Sequence, residues 1–111
     1  MNFRDNQIPH VQKILAQGYS IESEPHPEDP RLLLFWVAHS GRPAASACFW
    51  FDRETRRQRT EHICVYPGHQ RKGIATALML CAMSLTGCSP IPGAGQTEEG
   101  AAWWNQPRRP W

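Results

Sequence analysis

One stretch constrains this chain more than any other: a strand pattern that passes through a basic turn into a long apolar helix pattern. It reads Glu61-His62-Ile63-Cys64-Val65-Tyr66, then Pro67-Gly68-His69-Gln70-Arg71-Lys72, then Gly73-Ile74-Ala75-Thr76-Ala77-Leu78-Met79. Period two predicts Glu61, Ile63 and Val65 on one strand face, with Thr60, His62 and Cys64 on the other. Over residues 73–85, Ile74, Ala77, Leu78, Cys81 and Leu85 form one helical stripe, and Ala75, Met79, Ala82 and Met83 make the opposite side apolar as well. A helix apolar nearly all round is predicted to be covered on both sides.

The turn itself carries chemistry. A loop feeding a helix N-terminus points unpaired N–H groups outward. Together with the helix dipole they favour phosphate. Gly73 has no Cβ to block a close approach, Ala75 is small, and Arg71 and Lys72 add positive charge. No Gly-Lys-Ser/Thr follows, so this is not a nucleotide P-loop. Only one of the three glycines of a dinucleotide fingerprint is present.

The remaining pattern is that of a single domain over residues 1–111. Ile8, Val11, Ile14 and Leu15 predict a helix over 7–17, capped by Asp5 or Asn6 and ended by Gly18. Residues 19–22 read as a short strand. Pro25, Pro27 and Pro30 predict an extended loop over 23–30. The apolar run at 32–39 predicts a buried strand, and a turn at 40–43 leads to a second strand at 44–51. A polar turn at 52–57 precedes the strand at 60–66. Short links make these three an antiparallel meander. A short strand is predicted at 89–92, and a helix over 97–105 with Thr97 as cap.

Net charge is only +2, too mild to argue for nucleic acid. Arg53, Arg56, Arg57 and Arg59 cluster as solvated turn residues or as a surface for a polyanion, but no aromatic residue is interleaved with them. Nucleic acid is therefore not expected as a partner. The four cysteines form no C-x-x-C pair and read as free thiols in a reducing compartment, so no metal is assigned. The longest apolar run is far too short to span a bilayer, and the N-terminus shows no signal region. A cytoplasmic protein with no membrane partner is expected.

Residues 65–79 resemble the signature of the GNAT acetyltransferase superfamily: a strand ending in Val65, Pro67 two residues on, then Gln70-x-x-Gly73-x-Ala75 opening a helix with Leu78. The strong match covers residues 60–85. The resemblance implies an α+β fold: a mixed sheet whose antiparallel meander leads to a parallel, splayed strand pair flanked by helices. It implies acetyl-CoA as co-substrate, its pyrophosphate on the N–H groups of Gln70, Arg71, Lys72, Gly73, Ile74, Ala75 and Thr76. The pantetheine arm would run along the strand edge at Ile63, Cys64 and Val65. An N–H near Val65 would polarise the thioester carbonyl. The acceptor would be an amine (small molecule, protein amine or aminoacyl-tRNA) that attacks directly, its proton passing to a base. Glu61 is the candidate base.

Three features depart from the family pattern. Only residues 106–111 follow the last predicted helix, where the family normally adds two strands, so the resemblance is to a compact, C-terminally truncated member. The family's thiolate-protonating Tyr is replaced by Trp103 or Trp104, leaving Tyr66 or a water for that role. The strand at 89–92 contains Pro90 and Pro92, whose missing donors leave one edge silent, either toward the cofactor cleft or toward the outside of the sheet. Trp103, Trp104 and Trp111 are bulk for the monomer core or for a homodimer contact. These departures leave an alternative to the enzyme: an inactive or weakly active domain that binds CoA or a protein.

Overall fold

The structure is a computed structural model that describes residues 8–91. The helix predicted at 97–105, Pro92, and Trp103, Trp104 and Trp111 lie outside the described residues, as do Asp5 and Asn6. The described elements are α1 (Pro9–Ala16), β1 (Tyr19–Pro25), β2 (Leu32–His39), β3 (Arg42–Asp52), β4 (Arg57–Val65), α2 (Ile74–Thr86) and β5 (Ser89–Ile91). The five strands form one sheet in chain order. The first four are antiparallel, and β5 lies parallel to β4.

Helix α1 opens without a side-chain cap: Ile8 occupies the N-cap position and Pro9 follows. Proline suits the first helical position, where its missing N–H is unneeded and its fixed φ is already helical. Val11 and Ile14 are fully buried, with Ile8 and Leu15 packed beside them. The predicted face is the observed one.

Strand β1 runs three residues further than predicted, through Pro25. His26 N–H donates to Leu32 O at 2.9 Å, so the nitrogen of Pro25 faces the outer side of the sheet. An edge strand tolerates proline there. The β2 ends match expectation, but the strand is not buried on both faces. Leu33, Phe35 and Val37 are buried while Trp36 is 44% exposed. The reason is one-sided cover: α1 and α2 pack side by side on a single face, over Phe35, Phe49, Ala45 and Ala47. Phe35 and Phe49 meet edge to face at 5.7 Å.

Ser40 and Gly41, both at positive φ (52° and 75°), make a two-residue hairpin turn, so β3 begins at Arg42 rather than at Ala44. Pro43 fits within β3 because the register shifts there: Val37 faces Ala45 and Ala38 faces Pro43, which leaves Ala44 as the extra residue.

A second shift matters more. Cys48 faces His62 and Phe49 faces Thr60, so Glu61 is the extra residue of a bulge in β4. The predicted period-two face of Glu61, Ile63 and Val65 is therefore broken. Ile63 and Val65 pack on the core. Glu61 instead meets Arg59, whose guanidinium lies over the Trp50 ring at 4.9 Å on the other face. A bulge re-aims side chains in this way, and neither glycine nor proline marks this one in the sequence.

Helix α2 starts after Gly73 and ends at Gly87; both are left-handed. Seven of its residues are buried and only Ser84 is fully exposed, in keeping with an all-round apolar pattern. Among the described residues no helix is long and apolar enough to cross a membrane. β5 is short: Ser89, Pro90 and Ile91 pair with Arg57, Gln58 and Arg59. Ser89 N–H donates to Arg56 O at 2.8 Å, so Pro90, one residue on, points its nitrogen away from β4. Of the two predicted readings, Pro90 fits the blunted outer edge and not the silent cleft edge.

Candidate functional site

Because β5 pairs only as far as Arg59, residues 60–65 of β4 have β3 on one side and no strand on the other among the described residues. This half-open stretch contains Ile63, Cys64 and Val65, all half-buried. Tyr66 N–H still reaches Ala44 O at 2.9 Å. The chain then leaves the sheet.

The loop that follows is short of internal bonds. His69 N–H closes a turn on Tyr66 O at 3.0 Å, and the first helical bond runs from Ala77 N–H to Gly73 O at 3.0 Å. Between them, no backbone N–H of residues 70–75 bonds to an acceptor among the described residues. Gly68, Arg71 and Gly73 have φ of 90°, 61° and 86°. Left-handed residues within a loop are the kind of backbone that anion nests use. Arg71 holds this conformation with a Cβ, at a cost of about 1–2 kcal/mol. Space beside Gly73 is open: a Cβ there would meet nothing within 4 Å.

Side chains sort into anchors and donors. Ile74 is 2% exposed and holds the start of α2 in the core, so only its N–H faces an anion. Gln70 Nε2 donates to Val65 O at 3.1 Å, which ties the loop back to the strand end. Arg71, Lys72 and Gly73 are exposed, and Ala75 and Thr76 half-buried. His69 Nδ1 lies 2.7 Å from Tyr19 Oη, fifty residues away in sequence and invisible to sequence reasoning.

The two catalytic candidates do not converge. Glu61 Oε1 takes both Arg59 Nε at 2.9 Å and Arg59 Nη2 at 2.6 Å. Tyr66 is 40% exposed at the far end of the strand. Four residues lie between them, and the five steps span roughly 16 Å along the backbone. The cysteines are free. Burial pushes the Cys81 thiol up to about 12. Burial, and then the Glu61 carboxylate, raise that of Cys48. Neither of these two thiols is set up as a nucleophile. The arginine cluster has aromatic company after all: Arg53 lies over Phe51 at 5.4 Å and Arg59 over Trp50, both rings coming from β3.

The family model for the acetyltransferase (GNAT) domain matches residues 31–104. The chain belongs to this family. Acetyl transfer is the chemistry of GNAT proteins, and they generally use acetyl-CoA. This GNAT chain also shares its fold with solved structures. An aminoglycoside acetyltransferase from an uncultured soil metagenomic sample, in complex with trehalose, superposes with a TM-score of 0.61 at 11% identity, over 81% of this chain and 86% of that one. A ribosomal-protein-alanine N-acetyltransferase from Brucella melitensis biovar Abortus 2308 gives 0.55 at 20% identity, over 71% of this chain and 64% of that one. No curated protein sequence matches significantly.

Proposed function

We propose that the chain moves an acetyl group from acetyl-CoA to an amine. One observation supports this: among the described residues, the consecutive N–H groups over residues 70–75 have no acceptor, at the point where a strand edge without a described partner ends. The residues present fit the co-substrate. Gln70, Arg71, Lys72, Gly73, Ile74, Ala75 and Thr76 would hold its pyrophosphate, through backbone N–H groups and two cationic side chains. The edge at Ile63, Cys64 and Val65 offers backbone groups to an extended amide-bearing arm, as a neighbouring strand would.

Acetyl-CoA supplies an activated thioester when bound. A backbone N–H near Val65 polarises its carbonyl. Glu61 takes the proton from the acceptor amine, and Tyr66 or a water returns one to the sulfur.

A second reading, CoA binding without turnover, draws support from the two Arg59 bonds that occupy Oε1 of Glu61 and from its distance to Tyr66. Calorimetry with CoA, followed by thiol release from acetyl-CoA across a panel of amines, separates the two. Binding with release supports the enzyme, binding without release the second reading, and no binding at millimolar CoA overturns both. For the enzyme, Glu61→Gln is expected to lower kcat by about 10²–10⁴-fold with CoA affinity unchanged. Unchanged turnover retires Glu61 as the base.

A further inference from the structure

We propose that Tyr19 is a positioning residue for the anion loop, acting through His69. This rests on reading residues 70–75 as the seat of the pyrophosphate. A loop with three left-handed residues and almost no backbone bonds of its own needs outside support to keep one shape. Two side-chain bonds are placed to give it. Gln70 to Val65 is local. Tyr19 to His69 joins the loop to the opposite edge strand, four strands away in the sheet order from β5.

Tyr19 is itself braced. It is 6% exposed, and the His39 ring lies against it at 4.7 Å. Nε2 of His39 lies 3.1 Å from Gln17 O, at the end of α1. A carbonyl only accepts, so that nitrogen is the one carrying hydrogen. Gly18 completes the brace: a Cβ there would sit 3.4 Å from His39 Nε2, and its φ is +92°. Contacts thus run from the end of α1 through His39 and Tyr19 to His69, which adjoins the loop at residue 70. In the tautomer with hydrogen on Nε2 of His69, the Tyr19 hydroxyl donates to Nδ1, which is the arrangement the variants below test. The rings that meet in this cluster are Tyr19 from β1, His39 from β2 and His69 from the loop.

The strut fixes where the N–H groups point, not the chemistry that follows. Losing it therefore raises the dissociation constant of CoA and leaves kcat at saturation unchanged. Tyr19→Phe removes only the hydroxyl and keeps the ring against His39. His69→Leu removes the acceptor, whereas His69→Asn keeps an oxygen near the position of Nδ1.

The test has two readouts on the same folded variants. Nitrogen-15 relaxation on the ligand-free protein is expected to show lower order at residues 69–73 in Tyr19→Phe and His69→Leu, with His69→Asn like wild type. Calorimetry with CoA is expected to give about tenfold weaker binding for each of the first two, about what one hydrogen bond supplies. The double variant should be no weaker than either single. Unchanged loop order in Tyr19→Phe, or additive losses in the double variant, overturns the strut. A wild-type protein that binds no CoA overturns the pyrophosphate seat instead, while loop order still decides the strut.

Discussion

Strand β4 is two different structures along one backbone. In its first three residues, Arg57, Gln58 and Arg59, it is paired on both sides, and every polar demand is answered from within. Gln58 is fully buried. Its Nε2 donates to Met79 Sδ at 3.3 Å, and its Oε1 accepts from Thr86 Oγ1 at 2.9 Å. Thr86 Oγ1 also lies 2.8 Å from Ala82 O and accepts from Cys88 N–H at 3.2 Å. Beyond the bulge at Glu61, the same strand has one partner among the described residues and runs into a loop whose N–H groups at 70–75 have no acceptor among them. Buried backbone groups must be paired, so folding closes the first half completely; the second lies near solvent with one described partner, which is where the proposed co-substrate would pair. Partner length, not strand sequence, draws the boundary.

The sharpest way to break this contrast is Gly73→Glu. Since a side chain there meets no neighbour, its effect comes from charge and from the left-handed backbone, not from a clash. CoA affinity is expected to fall by more than about 100-fold, by repulsion of phosphate at the helix start. Gly73→Ala, which carries only the backbone strain, should lose much less. Equal affinity in the Glu variant would mean the open half is not the anion seat. In the closed half, Gln58→Leu strips Thr86 and Met79 of their partner. It is expected to cost about 2 kcal/mol in urea unfolding, with CoA affinity of the folded protein unchanged. A parallel loss of affinity would show the halves to be coupled.

A smaller effect appears at alkaline pH. The Cys81 thiol has its ordinary value of 9.0 when unfolded, and burial pushes it up to about 12 in the fold. Between those values the unfolded chain gives up a proton that the native state keeps. Stability is therefore full below pH 9 and declines as pH rises toward 12, by up to about 1.4 kcal/mol per unit from this group. Cys81→Ala is expected to flatten that slope, measured by chemical unfolding at pH 8 to 11, although it lowers stability at neutral pH. An unchanged slope would remove Cys81 as its source.

The parts of the molecule legible in the sequence are those set by near neighbours. The ends of β2, the face of α1, the glycines bounding α2 and the loop motif follow from spacing and from backbone permissiveness. What could not be read depends on partners distant in the chain. Pro25 lies in a strand because β1 is an edge, which only the assembled sheet decides. The bulge at Glu61 turns the candidate base to the Trp50 face, and cross-strand packing alone sets it. The Tyr19–His69 bond links residues fifty positions apart. One miss did have a visible signal: Pro9 marks the first helical residue more surely than Asp5 or Asn6 mark a cap.

Pro90 gives the two rims of this sheet opposite social habits. A foreign strand approaching β5 from outside meets a carbonyl but no hydrogen at that residue, so lateral growth by another polypeptide stalls there. The upper rim of β4 carries no such gap. Among the described residues it has a single partner beyond Arg59, so its outward backbone groups remain able to pair with something slender.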